Sequence, residues 1–91
     1  MKNRSKTDII ASILEVIKQG GSKRGKIMYG AYLSYTQLNE YLSLLLEMGL
    51  IENQGNKNGF SSPSFNITDK GRHYLNIHNQ IKEMITIVES N

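Results

Sequence analysis

The chain contains no cysteine. That excludes a disulfide framework, a thiolate zinc site and a cysteine nucleophile. Long apolar runs are also missing: the longest, Leu44-Leu45-Leu46, falls far short of the ~20 residues that span a bilayer. Met1 to Lys6 is basic, but no apolar segment with a small-residue cleavage site follows. The expected compartment is therefore the cytoplasm or nucleoid, where the sequons Asn3-Arg4-Ser5 and Asn66-Ile67-Thr68 are chance matches. No Ser/His/Asp set with supporting motifs occurs, and the carboxylates are scattered over helix surfaces, so no enzyme is expected. Gly20 and Gly25-Lys26 have the spacing of a phosphate-binding loop. Ile27 stands where that loop needs Ser or Thr, and a helical pattern precedes it where a strand is required. His73 and His78 lie about 140° apart around a helix and cannot share a metal, so no metal or other cofactor is expected.

What is present suffices for one domain. The chain has 91 residues, of which 38% are hydrophobic. A chain of this size buries only about 60–65% of its unfolded surface, so its core is modest. Net charge is +3, but it is unevenly spread. Residues 1–32 carry seven basic and two acidic side chains, a balance of +5. Residues 33–56 have no Lys or Arg and three Glu, giving −3, and residues 57–91 sum to +1.

Local patterns set the element order. Ser5-x-x-Asp8 is a capping-box start, and apolar residues from Ile9 to Ile17 recur with a helical period until Gly20-Gly21. Ser22 to Gly25 is a connector with room for one short edge strand. A short helix is predicted over Lys26 to Tyr32. Ser34 and Gln37 then form a second capping box, flanked by Leu33 and Leu38 as a hydrophobic staple. The helix they start runs to Met48 and stops at Gly49. Its apolar face carries Leu38, Tyr41, Leu42 and Leu45. Two helices with a tight turn, the second well capped, predict a helix-turn-helix and make DNA the first partner to consider.

Leu50 to Asn53 and Ser64 to Thr68 read as two strands of a hairpin, joined by a polar loop, Gln54 to Pro63. Thr68 caps a last helix of about 20 residues, roughly 30 Å long. There Tyr74, His78, Ile81, Ile85 and Val88 form a heptad-like seam, broadened by Ile77, Met84 and Ile87. So small a core cannot cover this helix, and its distal half is expected to meet a second copy. The expected fold is mainly α with a small β-hairpin: a winged helix-turn-helix over 1–68, then a dimerisation helix over 69–91.

Several strings carry a resemblance: Asp8-Ile9-Ile10 with Ile13-Leu14, Lys26-Ile27-Met28-Tyr29-Gly30-Ala31-Tyr32-Leu33-Ser34-Tyr35, Gly49-Leu50-Ile51 and Ile67-Thr68-Asp69-Lys70-Gly71. Through them the chain resembles small archaeal winged-helix DNA-binding proteins, especially the chromatin-associated ten-a type. The resemblance implies a homodimer whose last helices pair antiparallel, with a DNA-reading domain at each end. The residues alone leave the orientation open. Two features depart from that type: the wing is longer and the final helix shorter.

In a winged helix the third helix enters the major groove and the wing touches backbone or minor groove. The candidates for base edges are Tyr35, Thr36, Gln37, Asn39 and Ser43. They are weighed against plain solvation, because this helix lacks Lys and Arg and carries Glu40 and Glu47. Phosphate contacts are expected from Lys23, Arg24 and Lys26, with Lys57 and Asn58 on the wing and Lys2, Arg4 and Lys6 in the N-terminal arm. The dimer interface is assigned to Tyr74, Ile77, His78, Ile81, Met84, Ile85 and Val88. His78 in the seam suggests a dimer weakened below pH ~6.5. Tyr29, Tyr32 and Tyr41 are expected in or at the edge of the core. The alternative is a protein–protein interaction module with no direct DNA contact. No small-molecule ligand or membrane partner is evident.

Overall fold

The computed structural model describes residues 4–54 and 64–89, with the side chains of 87–89 outside the description. The order is α1 (Lys6–Lys18), α2 (Arg24–Gly30), α3 (Tyr35–Met48), β1 (Ile51–Asn53), β2 (Phe65–Ile67) and α4 (Asp69–Glu89). This is the mainly helical winged arrangement that the sequence predicts.

Both capping boxes form. The Ser5 hydroxyl accepts from the Asp8 N–H at 3.1 Å, and the Asp8 carboxylate accepts from the Ser5 N–H at 3.3 Å. The Ser34 hydroxyl likewise accepts from the Gln37 N–H at 3.1 Å, while Gln37 Oε1 accepts from the Ser34 N–H at 3.0 Å. Each box satisfies donors that a helix start otherwise leaves unpaired. Leu33 and Leu38 are both buried, as a staple requires. Gly49 ends α3 with φ 76, a left-handed cap that glycine adopts without Cβ strain.

The second helix differs from its predicted span. It starts at Arg24, capped by Lys23, and ends at Gly30. Ala31 caps it and Tyr32 turns left-handed at φ 56, so neither continues the helix. Arg4 secures this turn. Its guanidinium donates to the Ala31 carbonyl at 2.7 Å and the Tyr32 carbonyl at 2.9 Å, taking up acceptors freed where α2 stops.

The strands pair antiparallel, Ile51 opposite Ile67 and Asn53 opposite Phe65. The edge strand foreseen in Ser22 to Gly25 is reduced to one bridge, Lys23 opposite Ser64, with the Phe65 N–H donating to the Ser22 carbonyl at 2.9 Å. Arg24 and Gly25 go into α2 instead.

The core gathers Ile13 and Leu14 of α1, Ile27 of α2, Leu38 and Leu45 of α3, then Leu50, Ile51 and Leu75, all essentially inaccessible. Leu75 brings the first turns of α4 into this core. One motif sets that docking. The Thr68 hydroxyl donates to the Gly49 carbonyl at 2.7 Å and accepts from the Gly71 N–H at 3.0 Å. Lys70 Nζ donates to the Met48 carbonyl at 2.7 Å. Gly71 has no space for a side chain: a Cβ would lie 2.2 Å from the Leu50 carbonyl oxygen. The Ile67 to Gly71 string therefore clamps the start of α4 onto the end of α3.

Past His78 the side chains of α4 are exposed as far as Thr86. The molecule measures 54 × 29 × 21 Å with a radius of gyration of 14.2 Å. A compact chain of this length would have a radius near ~12 Å.

Candidate nucleic-acid interface

Because α3 buries Leu38, Leu42 and Leu45, its opposite face is turned outward. Tyr35, Thr36, Gln37 and Ser43 are exposed there, and Asn39 is half-buried at its edge. Thr36, Glu40, Ser43 and Glu47 fall within about 60° of one another at 100° per residue, so two carboxylates sit on the midline of that face. Among the described residues neither carboxylate has an ion-pair partner. Gln37 is partly committed: its Oε1 serves the cap, leaving chiefly its amide N–H groups for a ligand.

Basic groups flank this face. Lys23 and Lys26 are exposed and Arg24 is half-buried. The bridge from Lys23 to Ser64 puts the cluster at the root of the wing, beside the start of α2. Lys57 and Asn58 lie outside the described residues. Arg4, expected on phosphates, is instead engaged with the α2–α3 turn.

The tyrosines give the clearest correction. Tyr41 packs at the edge of the core, as expected. Tyr29 and Tyr32 do not: they are 77% and 83% exposed, and Tyr35 beside them is 68% exposed. The helical period held the signal for Tyr29. With Ile27 as the buried residue of α2, Tyr29 lies about 200° away, on the outer side. The left-handed turn that throws Tyr32 outward has no sequence signature, since such turns favour Gly or Asn.

On α4 the predicted interface residues divide. Tyr74 and His78 are half-buried against α1, their rings stacked with centroids 6.4 Å apart. His78 Nε2 lies 3.2 Å from Asp8 Oδ1, so this histidine is tied within its own chain. Ile77, Ile81, Met84 and Ile85 are exposed at 43%, 52%, 66% and 51%. They continue a shallow apolar groove that starts beside Thr7 and Asp8. The Val88 side chain lies outside the described residues.

Two groups in this patch are electrostatically perturbed. The Ser5 hydrogen bonds, with His78 adding to them, hold the Asp8 carboxyl below the usual carboxylate range. Burial, with the Asp8 charge adding, pushes the Tyr74 phenol up. Tyr74 Oη and His78 Nδ1 are buried polar atoms without a hydrogen-bond partner among the described residues. Among those residues no group of three His, Asp or Glu side chains could hold a metal ion, and no helix is long and apolar enough to cross a membrane.

Known proteins agree with this architecture. An uncharacterized protein of Methanocaldococcus jannaschii, MJ0287, is 28% identical over 87 residues, 96% of this chain and 79% of its own length. The structure of Sso10a-2, a DNA-binding protein from Sulfolobus solfataricus, superposes with a TM-score of 0.72 at 24% identity, over 96% of this chain and 84% of that one. A PadR family transcription regulator from Clostridium difficile superposes at 0.77 with 18% identity, over 90% of this chain and 94% of that one. At these identities the superpositions speak for the fold alone. The winged helix-turn-helix family model matches residues 3–86. With nearly the whole chain matched and every element of the fold in place, this protein belongs to the winged helix-turn-helix family.

Proposed function

We propose that this chain is a homodimeric double-stranded DNA-binding protein, acting as a transcription regulator or a nucleoid protein. The observation that carries the reading is one juxtaposition. An exposed polar face on α3 is joined by a tight turn to α2, whose basic start is tied to the wing root through Lys23 and Ser64. Lys23, Arg24 and Lys26 hold phosphates. Thr36, Asn39 and Ser43 meet base edges in the major groove, with Gln37 donating through its amide and Tyr35 at the mouth of the helix. Lys57 and Asn58 add contacts from the wing. That Sso10a-2 and the PadR regulator are respectively a DNA-binding protein and a transcription regulator supports the same direction.

The second copy meets the exposed stripe of Ile77, Ile81, Met84 and Ile85, with Val88 assigned to the same interface from the sequence. Tyr74 and His78 form its floor. Removing the remaining exposure of each such side chain is worth roughly 1 kcal/mol. Several per helix, doubled by symmetry, suffice for a stable pair.

Alanine at Lys23, Arg24 and Lys26 together tests the phosphate assignment. Duplex binding is expected to fall at least a hundredfold at low salt while the sedimentation coefficient stays unchanged, since these residues would neutralise about four to six phosphates per dimer. Binding that survives the change contradicts the assignment. A second reading draws on Glu40 and Glu47, which would repel phosphate: a protein–protein interaction module using α3. It is favoured if Glu40→Gln with Glu47→Gln leaves duplex affinity unchanged, because a face near DNA must bind tighter once both charges are gone. A regulator is separated from a nucleoid protein by specificity, a preferred site exceeding random duplex by ~10³ or more.

A further inference from the structure

Residues 16–39 contain no Asp or Glu and carry Lys18, Lys23, Arg24 and Lys26. Within this acid-free stretch three of the five tyrosines, Tyr29, Tyr32 and Tyr35, crowd one helix-turn-helix corner and stand in solvent. Arg4 holds the backbone of this corner, but among the described residues none of the three hydroxyls has a hydrogen-bond partner, so the rings stay open to a ligand. Beside it runs a shallow groove between α1 and α2, lined by Val16, Gly21, Gly25, Lys26, Tyr29 and Gly30. Two of these glycines are explained by packing: a Cβ at Gly21 or Gly30 would lie 2.6 or 2.8 Å from a Val16 methyl. Gly25 is not. A Cβ there would meet nothing within 4 Å, and its backbone is not left-handed. A helical glycine that packing does not demand keeps backbone open to close approach by a ligand.

A polyanion fits the charge, and flat rings fit bases whose faces are free. In a duplex those faces are stacked away, and a tyrosine can reach base edges, sugar and phosphate but no base face. In a single strand each base offers a face to an aromatic ring, while neighbouring cations take the backbone. We propose that this corner is a binding site for single-stranded DNA, with Tyr29 and Tyr32 stacking bases and Lys26 and Lys23 holding phosphates across Gly25. This goes beyond the duplex reading and uses two tyrosines with no part in it.

The full-length protein is titrated with oligo(dT) of roughly 20 nucleotides and, in parallel, with a duplex of similar length. Because the chain has no Trp, tyrosine emission reports directly, and oligo(dT) is expected to quench it. Tyr29→Leu with Tyr32→Leu keeps apolar bulk but removes the rings. The expected result is a loss of about tenfold or more for oligo(dT), loss of the quenching, and a change under about twofold for the duplex. Gly25→Ala is expected to raise the melting temperature yet weaken oligo(dT) binding severalfold. The proposal is overturned if the unmodified protein fails to bind oligo(dT) at low salt up to about 100 µM, or if the double variant binds it equally well. Binding to oligo(rU) about tenfold tighter than to oligo(dT) would overturn the assignment to DNA. Failure of the duplex titration alone, with oligo(dT) binding intact, would contradict the function proposed above and leave this site standing.

Discussion

Single residues do more positioning here than their types announce. Arg4 reads as part of a basic arm, yet it closes the α2–α3 turn by donating to two carbonyls. Arg4→Ala is expected to cost about 1 kcal/mol, the low end for a charged donor because the site is largely open to water. A urea melt measures this, and an unchanged midpoint would deny the contact any structural role. Asp8 closes the first capping box and faces His78 across α1 and α4. Its carboxyl is held below the usual range, so its contribution is complete above the unfolded value near ~4 and is lost as pH falls through the folded one. Asp8→Asn is therefore expected to lose less stability than the unmodified chain between about pH 5 and pH 3. Equal losses would contradict this. The same contact changes the meaning of His78. The ring is held against a carboxylate of its own chain rather than standing free in a seam.

At the scale of elements, legibility follows the range of the causes. The two capping boxes and the staple were readable because each depends on residues three to five apart. Removing the α3 cap by Ser34→Ala is expected to cost about 1 kcal/mol in a denaturant melt. The hairpin and the stop at Gly49 were readable for the same local reason. The start of α2 was displaced because Lys23 caps it with backbone alone and no side chain signals it. The Ile67 to Gly71 string carries part of the resemblance, but its cause is not legible in the sequence. It lies in the approach of Gly71 to Leu50, far away in sequence. Gly71→Ala is accordingly expected to destabilise by about 2–3 kcal/mol, more than an ordinary helical glycine, which alanine would stabilise. A stability within 1 kcal/mol of the unmodified chain would contradict that clamp. The tyrosine corner was missed because a left-handed tyrosine turn is decided by tertiary contacts, Arg4 among them.

The whole molecule is a small winged body with a helix that outruns it. Three basic side chains, Lys23, Arg24 and Lys26, stand at the start of α2 and the wing root, and the exposed aliphatic side chains Ile77, Ile81, Met84 and Ile85 stand on α4. On the proposed reading one surface would bind polyanion and the other would pair copies, so the two activities should separate by mutation. Ile81→Asp with Ile85→Asp is expected to yield a folded monomer by sedimentation and to weaken duplex binding by removing the second set of contacts. The most direct test of the central claim is duplex affinity across salt concentrations, read by fluorescence anisotropy on a random-sequence duplex with the full chain. Micromolar or tighter binding is expected at low salt, with a log–log slope of about −4 to −5. No binding at low salt, or binding indifferent to salt, would contradict it.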